Sequence, residues 1–281
     1  MQIIKTIEEL RPILKEFRRQ GLRVGLVPTM GYLHEGHKSL IVKAVSENDR
    51  VIVSDFVNPT QFGVNEDLSS YPRDIERDAA LCEEAGAALI FHPEPEEMYF
   101  PDNCTFVDMD QLTKGLCGKT RPTHFRGVCT VVSKLFHIVM PDRAYFGQKD
   151  AQQLAVIRRM VRDLNFDITI VGCPIVREAD GLAMSSRNTY LSPEERKAAL
   201  ILHKSLQIGE EMMRAGERDA LKIKTAIQAN METEALARVD YVEIVDADSL
   251  EQATIIEKPV LTATAVYIGN TRLIDNFTYE P

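Results

Sequence analysis

Apolar positions in the first half of the chain alternate between short unbroken runs and stretches of helical spacing. Leu10, Ile13, Leu14 and Phe17 recur at helical intervals behind Thr6 and Glu9, a capping-box pair. With Gly21 placed to end it, a helix is expected over Ile7–Gln20. Val24–Val27 and Val51–Val57 are apolar runs of the kind that forms strands buried on both faces. Lys38–Val45 and Arg73–Glu84, the latter ahead of Gly86, read as helices, and Ala88–Phe91 as a short strand. Pro93–Asn103 is loop, Thr105–Met109 a strand, and Gly115–Gly127 an irregular stretch with Lys119, Arg121, His124 and Arg126. Val128–Val139 predicts a buried helix that stops before Pro141. Arg143–Phe146 is a strand, Gly147-Gln148-Lys149-Asp150 leads into a helix to about Leu164, and Ile168–Val171 is a further strand. Strands alternating with helices predict an α/β fold: a doubly wound parallel sheet with helices on both faces.

The pattern changes after Asn188. Ser192-Pro193-Glu194-Glu195 is a second capping box with Pro at the first helical position, and its helix runs to about Arg214. Another helix spans roughly Arg218–Ala235. Tyr241–Val245, Leu261–Ile268 and Thr271–Phe277 are strand-like, the last two joined by the turn Gly269-Asn270. The expected division is a domain of residues 1–176 followed by a smaller α+β domain of residues 177–281, with the boundary in 176–188.

Composition narrows the function. The 281 residues are 44% hydrophobic and 27% charged, with a net charge of −9. That balance opposes a chain whose main task is coating nucleic acid or an anionic membrane, yet permits a locally basic pocket. No run approaches the ~18 apolar residues of a membrane span. Met1–Thr6 lacks the pattern of a signal peptide. Cys82, Cys104, Cys117, Cys129 and Cys173 are odd in number and never in a C-x-x-C pair, which predicts reduced, mostly buried thiols in a cytoplasm.

The chemistry concentrates at Pro28-Thr29-Met30-Gly31-Tyr32-Leu33-His34-Glu35-Gly36-His37, where a strand hands over to a helix. A helix N-terminus attracts anions through its backbone N–H groups and dipole, so this stretch is expected to cradle a phosphate. His34-x-x-His37 fails the zinc-protease spacing, because Lys38 stands where the second His is needed. The pair reads instead as donors to phosphate oxygens, and Gly36 lets a nucleotide approach the backbone. Gly115-Leu116-Cys117-Gly118-Lys119-Thr120 has too few residues between its glycines for a Walker A loop. Gly147-Gln148-Lys149-Asp150 is a second strand-to-helix junction, with Lys149 set to meet a phosphate and Asp150 to hold a ribose, a metal or the helix cap. Met184-Ser185-Ser186-Arg187-Asn188 supplies two hydroxyls and a guanidinium suited to triphosphate oxygens.

Taken together, these segments resemble the pantoate–β-alanine ligase (pantothenate synthetase) family of the HIGH-motif nucleotidyltransferases. Pro28–His37, Asp55-Phe56-Val57-Asn58-Pro59-Thr60-Gln61-Phe62, Gly147-Gln148-Lys149-Asp150-x-x-Gln153 and Met184–Asn188 match its motifs in order, and Tyr71-Pro72-Arg73-Asp74 and His124-Phe125-Arg126-Gly127-Val128 are similar to further ones. The resemblance covers nearly the whole chain. It implies a Rossmann-like first domain, a small domain that lids the site, a homodimer, and condensation of D-pantoate with β-alanine using ATP and Mg2+. It implies that Met30, Gly31, Tyr32, Leu33, His34, Glu35, Gly36 and His37 line the ATP site, with His37 as proton donor. Gly147, Gln148, Lys149, Asp150, Val176, Met184, Ser185, Ser186 and Arg187 would also contact ATP, and Gln61 and Gln153 would bind pantoate. Gln148 stands where many members carry Glu, and Ser186-Arg187 replaces the Lys-containing loop of the wider superfamily. The Mg2+ ligands are not designated by the sequence.

The expected chemistry is attack of the pantoate carboxylate on the α-phosphorus of ATP, then attack of the β-alanine amine on the acyl adenylate. His34, His37 and Lys149 would compensate negative charge, while the Gln61 and Gln153 amides bind the acid without adding charge. Two superfamily alternatives are a cytidylyltransferase, separable by its use of CTP, and an aminoacyl-tRNA synthetase-like enzyme, opposed by the acidic balance and the lack of an anticodon-sized domain. A non-catalytic nucleotide sensor would need no Gln pair.

Overall fold

The computed structural model describes residues 1–64 and 66–281. In chain order its elements are β1 (Gln2–Ile4), α1 (Ile7–Arg19), β2 (Val24–Thr29), α2 (Glu35–Glu47), β3 (Arg50–Asp55), α3 (Ile75–Glu84), β4 (Leu89–Phe91), α4 (Pro95–Met98), α5 (Leu116–Thr120), α6 (His124–Val139), β5 (Arg143–Gly147), α7 (Ala151–Asp163) and β6 (Thr169–Cys173). They continue with α8 (Pro193–Ala198), α9 (Ile201–Arg214), α10 (Ala220–Met231), β7 (Ala237–Asp246), β8 (Val260–Ile268) and β9 (Thr271–Tyr279). The chain forms two compact units. One comprises Met1–Thr113, Arg121–Gln148 and Gln153–Pro174; the other comprises Lys114–Thr120, Lys149–Gln152 and Ile175–Pro281.

The first unit holds a six-stranded sheet in the order β1-β4-β3-β2-β5-β6, with every pairing parallel. Its central strands are covered on both faces, which is why they read as unbroken apolar runs: Val24, Leu26, Val27, Val51, Ile52 and Val53 are each at most 2% exposed. Successive strands step one way from β2 through β3 to β4, while β5 and β6 lie on the other side of β2. The order therefore reverses between β2 and β5, and in such sheets ligands bind outside the carboxyl ends of the strands at that reversal.

The second unit is an antiparallel sheet β7-β8-β9 packed with α9 and α10. Leu202, Met213, Ile223, Ile227, Met231, Val242, Val266 and Ile268 form its core. Two short segments that the sequence reading gave to the first domain belong to this unit. Leu116 of α5 packs with Val245, Leu261 and Ala263, and Ala151 joins the same cluster. Gly115–Thr120 is thus a docked helical turn rather than a phosphate loop.

Other differences have local causes. Thr105–Met109 is not a strand: the Thr130 hydroxyl of α6 pairs with Val107 N–H and Val107 carbonyl, taking the place of a ladder. The stretch taken as irregular contains α5 and the first turn of α6, which begins at His124 rather than Val128. β1 escaped the pattern because of its three residues only Ile4 is buried. The helix expected over Pro193–Arg214 breaks into α8 and α9 where tight turns, Leu200 N–H to Lys197 and Leu202 N–H to Ala199, interrupt it. Cys82, Cys117, Cys129 and Cys173 are buried, Cys104 is exposed, and all five are free thiols.

Candidate active site

In the first unit, Met30–His37 leaves the carboxyl end of β2 and Gly147–Gln148 leaves that of β5, so the two junctions emerge from neighbouring strands at the reversal. The first junction turns sharply. Gly31 has φ +78° and Tyr32 φ +49°, both left-handed. A side chain at Gly31 would run into the Asp55 carboxylate, so glycine is required on steric as well as backbone grounds.

The expectation that backbone N–H groups here face an anion needs correction. Five of them are consumed, three within the motif and two by Asp78. Gly31 N–H donates to Thr29 Oγ1 at 3.2 Å. Tyr32 N–H and Leu33 N–H each donate to the Asp78 carboxylate at 2.6 Å. His34 N–H donates to His37 Nδ1 at 3.3 Å, and Gly36 N–H to His34 Nδ1 at 3.1 Å. The two imidazoles thereby cap α2 as a reciprocal box, with ring centroids 4.0 Å apart. Because each Nδ1 accepts a hydrogen bond, the proton of each neutral ring is on Nε2. The donors that this turn contributes are therefore imidazole N–H groups at a helix N-terminus. Leu33 is a core residue, the half-buried Tyr32 ring lies under Arg77 at 4.5 Å, and Glu35 is exposed.

Asp78 was invisible as a site residue because the loop it organises is far away in sequence. A signal did exist: Ile75, Asp78, Ala79 and Cys82 share one helix face, and an acid in that stripe has no place in a core unless it has partners. Asp78 is fully buried and its pKa is pushed up to about 6, chiefly by desolvation, with the neighbouring Asp55 adding to the rise. His92 Nδ1 sits 3.5 Å from Asp55 Oδ1 and is held above its usual pKa by that carboxylate.

Gln61 is brought to the same end of the sheet. Its Nε2 donates to Met30 Sδ at 2.9 Å, and its Oε1 accepts from Asn58 Nδ2 at 3.1 Å. Asn58 is itself buried, donating to Gly127 carbonyl at 3.2 Å and accepting from Tyr99 Oη at 2.8 Å. The amide of Gln61 is thus oriented with its carbonyl inward. The Gln61 backbone carbonyl accepts from His124 Nδ1 at 2.9 Å and Arg121 at 3.4 Å, and Arg121 also forks onto Glu66. Gly127 lets α6 touch this loop, since a Cβ there would overlap Thr60 and Gln61 backbone. Gln153 is half-buried on α7, while its neighbour Gln152 is spent on Gly115 carbonyl and Gly118 N–H in the second unit.

The second unit carries Lys149, Asp150, Val176 and Met184–Arg187. Met184 N–H donates to Val176 carbonyl at 3.0 Å, closing a hairpin that delivers Ser185 to the start of a 3-10 turn, Ser186–Tyr190. Ser185 caps that turn by accepting Arg187 N–H. Lys149 and Asp150 are half-buried in the 3-10 turn Gln148–Asp150 ahead of α7.

The family model described as Pantoate-beta-alanine ligase matches residues 2–278. The chain belongs to the pantoate–β-alanine ligase family. It is accordingly an enzyme, an amide-forming ligase. Among its relatives, the pantothenate synthetase of Enterococcus faecalis is 65% identical over 280 residues, covering 100% of this chain and 99% of the relative. The pantothenate synthetase of Clostridium acetobutylicum is 61% identical, with full coverage of both chains. The crystal structure of the Thermus thermophilus pantothenate synthetase superposes with a TM-score of 0.95 at 46% identity and complete coverage of both chains. The Francisella tularensis pantoate-beta-alanine ligase, complexed with beta-gamma ATP and beta-alanine, gives 0.80 at 34% identity, covering 99% of this chain and 97% of that one. The Thermus structure shares the Rossmann-like parallel sheet and the small antiparallel unit. Among the described residues, no helix is long and apolar enough to cross a membrane.

Proposed function

We propose that this ligase condenses D-pantoate with β-alanine through a pantoyl-adenylate intermediate, releasing pyrophosphate and then AMP. The pantoate carboxylate is ionised near neutrality and needs no base; it needs placement beside the α-phosphorus and compensation of negative charge in the transition state. The observation that carries the reading is the double Nδ1 capping of α2. It supports His34 and His37 as neutral Nε2–H donors, pre-oriented by backbone hydrogen bonds so that little reorganisation accompanies the reaction. Lys149, Ser185, Ser186 and Arg187 supply the cationic and hydroxyl partners of the phosphates, and Met30–His37, Gly147, Gln148, Asp150, Val176 and Met184 the remaining ATP contacts. Gln61 and Gln153 bind the acid. With Gln61 Oε1 committed to Asn58, that side chain contributes N–H to a carboxylate or hydroxyl oxygen.

ATP fits a junction at the strand reversal rich in such donors, and the Francisella relative's ATP and β-alanine complex supports the same two ligands. For Mg2+ the described residues gather no cluster of three His, Cys, Asp or Glu groups. Bound with ATP, Mg2+ would supply neutralisation of phosphate charge. In the second half-reaction the neutral amine of β-alanine displaces AMP from the acyl carbon. The enzyme acts in the cytoplasm as a homodimer on these small molecules, without nucleic acid or membrane.

Pantoate-dependent exchange of labelled pyrophosphate into ATP, measured without β-alanine, tests the intermediate. Exchange is expected; amide formation with no exchange would exclude a free-standing adenylation step.

A further inference from the structure

The last strand of the second unit reaches both of its phosphate-contacting segments. Asp275 and Asn276 are adjacent on β9, paired with Thr264 and Ala263 of β8, and are only 2% and 5% exposed. Two consecutive polar residues buried on opposite faces of one strand require partners on both sides.

Asp275 finds Arg177. The guanidinium forks onto it, NH1 to Oδ2 at 2.6 Å and NH2 to Oδ1 at 2.9 Å. Arg177 NH1 also donates to Gly181 carbonyl at 3.1 Å. Arg177 pairs with Ala183 across the hairpin that Glu178 N–H to Leu182 carbonyl and Met184 N–H to Val176 carbonyl hold shut. The hairpin tip is seated too: Gly181 has φ +97°, and a Cβ there would strike His203 of α9. Everything downstream in that limb, Met184 through Arg187, inherits its position from the hairpin. Asn276 turns to the other segment, its Nδ2 donating to Lys149 carbonyl at 2.8 Å.

We propose that Asp275 and Asn276 are positioning residues for adenylation: neighbours on one rigid strand, they hold the Ser185-Ser186-Arg187 loop, through Arg177, and Lys149, through its carbonyl, at a fixed offset. This rests on the reading that those segments contact ATP. The fork adds geometry more than net stability, because a buried ion pair recovers little beyond its desolvation cost. Shifting a phosphate-contacting group by about 1 Å, by contrast, is enough to slow a reaction ~100-fold.

The test compares Asn276→Ala, Asp275→Asn and Arg177→Lys with Val266→Ala, a core substitution in the same unit. Each is assayed for pyrophosphate exchange, KM for ATP, KM for β-alanine and thermal unfolding. The three polar variants are expected to lose ~10- to 100-fold in exchange kcat/KM for ATP, with KM for β-alanine changed less than about twofold. Val266→Ala is expected to lower the melting temperature at least as much without that kinetic loss. Should Asp275→Asn fail to fold, Asn276→Ala carries the test, since it removes the hydrogen bond to Lys149 carbonyl and no charge. Wild-type exchange in Asn276→Ala, or losses that follow melting temperature across all four variants, would overturn the inference while leaving the ligase reading intact. Absence of exchange in the unaltered enzyme would overturn that reading and the inference with it.

Discussion

The Asp78 carboxyl group lies beside that of Asp55, which a side chain at Gly31 would meet together with it, and both are buried beneath the Gly31–Leu33 turn. Burial beside a second carboxylate favours keeping the Asp78 proton. Asp78 binds that proton up to about pH 6 in the folded state, against the ordinary carboxylate range when unfolded. The folded chain therefore holds more protons than the unfolded one between these values, and stability from this pair is present at low pH and lost as pH rises through about 6. His92, raised by its contact with Asp55, acts in the same sense. Urea unfolding at pH 5 and pH 7.5 should show the wild type losing about 1 kcal/mol more than Asp78→Asn over that interval. Asn keeps an acceptor for the loop but does not titrate. Equal pH profiles for the two proteins would remove the pair from this role.

His37→Ala removes both a capping acceptor and a ring N–H. The adenylation rate should fall by ~10²–10³, the usual cost of one transition-state donor. Single-turnover formation of pyrophosphate measures it, and an undiminished rate would take His37 out of the chemistry.

Gln61→Glu keeps the acceptor that Asn58 requires but replaces the Nε2 donor with a negative oxygen. A pantoate carboxylate should then be repelled. kcat/KM for pantoate is expected to drop ~10- to 100-fold, the range for losing a hydrogen bond to a charged group, with KM for ATP little changed. A larger effect on ATP than on the acid would contradict the assignment.

Gly127→Ala forces a methyl group into the Thr60 and Gln61 backbone. Overpacking of this kind costs about 1–3 kcal/mol and should push the Gln61 loop off α6. Differential scanning calorimetry with steady-state kinetics should report a lower melting temperature together with a raised KM for pantoate. A destabilised protein with native KM would show that the loop follows the helix.

Much of the molecule was legible in one dimension, for stated reasons. Buried parallel strands demand continuous apolar runs, so β2, β3 and β5 declared themselves; capping boxes at Thr6 and Ser192 marked helix starts within a residue. The motifs at Met30–His37, Gly147–Asp150 and Met184–Arg187 were found because each lies in one short stretch. Segments without a local pattern were missed or misread: β1 exists only because β4 offers it an edge, and Thr105–Met109 was drawn off the sheet by Thr130.

The order of elements, the family motifs and the residue types at the junctions are properties of the sequence alone, because propensity, hydrophobic period and turn chemistry act over a few residues. How those residues are held was decided in three dimensions. Asp78 takes the N–H groups expected for an anion, Asn58 chooses which end of the Gln61 amide is presented, and Asp275 and Asn276 reach Arg177 and Lys149 across 98 and 127 residues. Each is a buried polar group whose partner must come from elsewhere in the chain, since a hydrogen bond withheld in the interior costs more than one made there contributes. That rule guarantees that partners exist but leaves their choice to the packing of strands and helices.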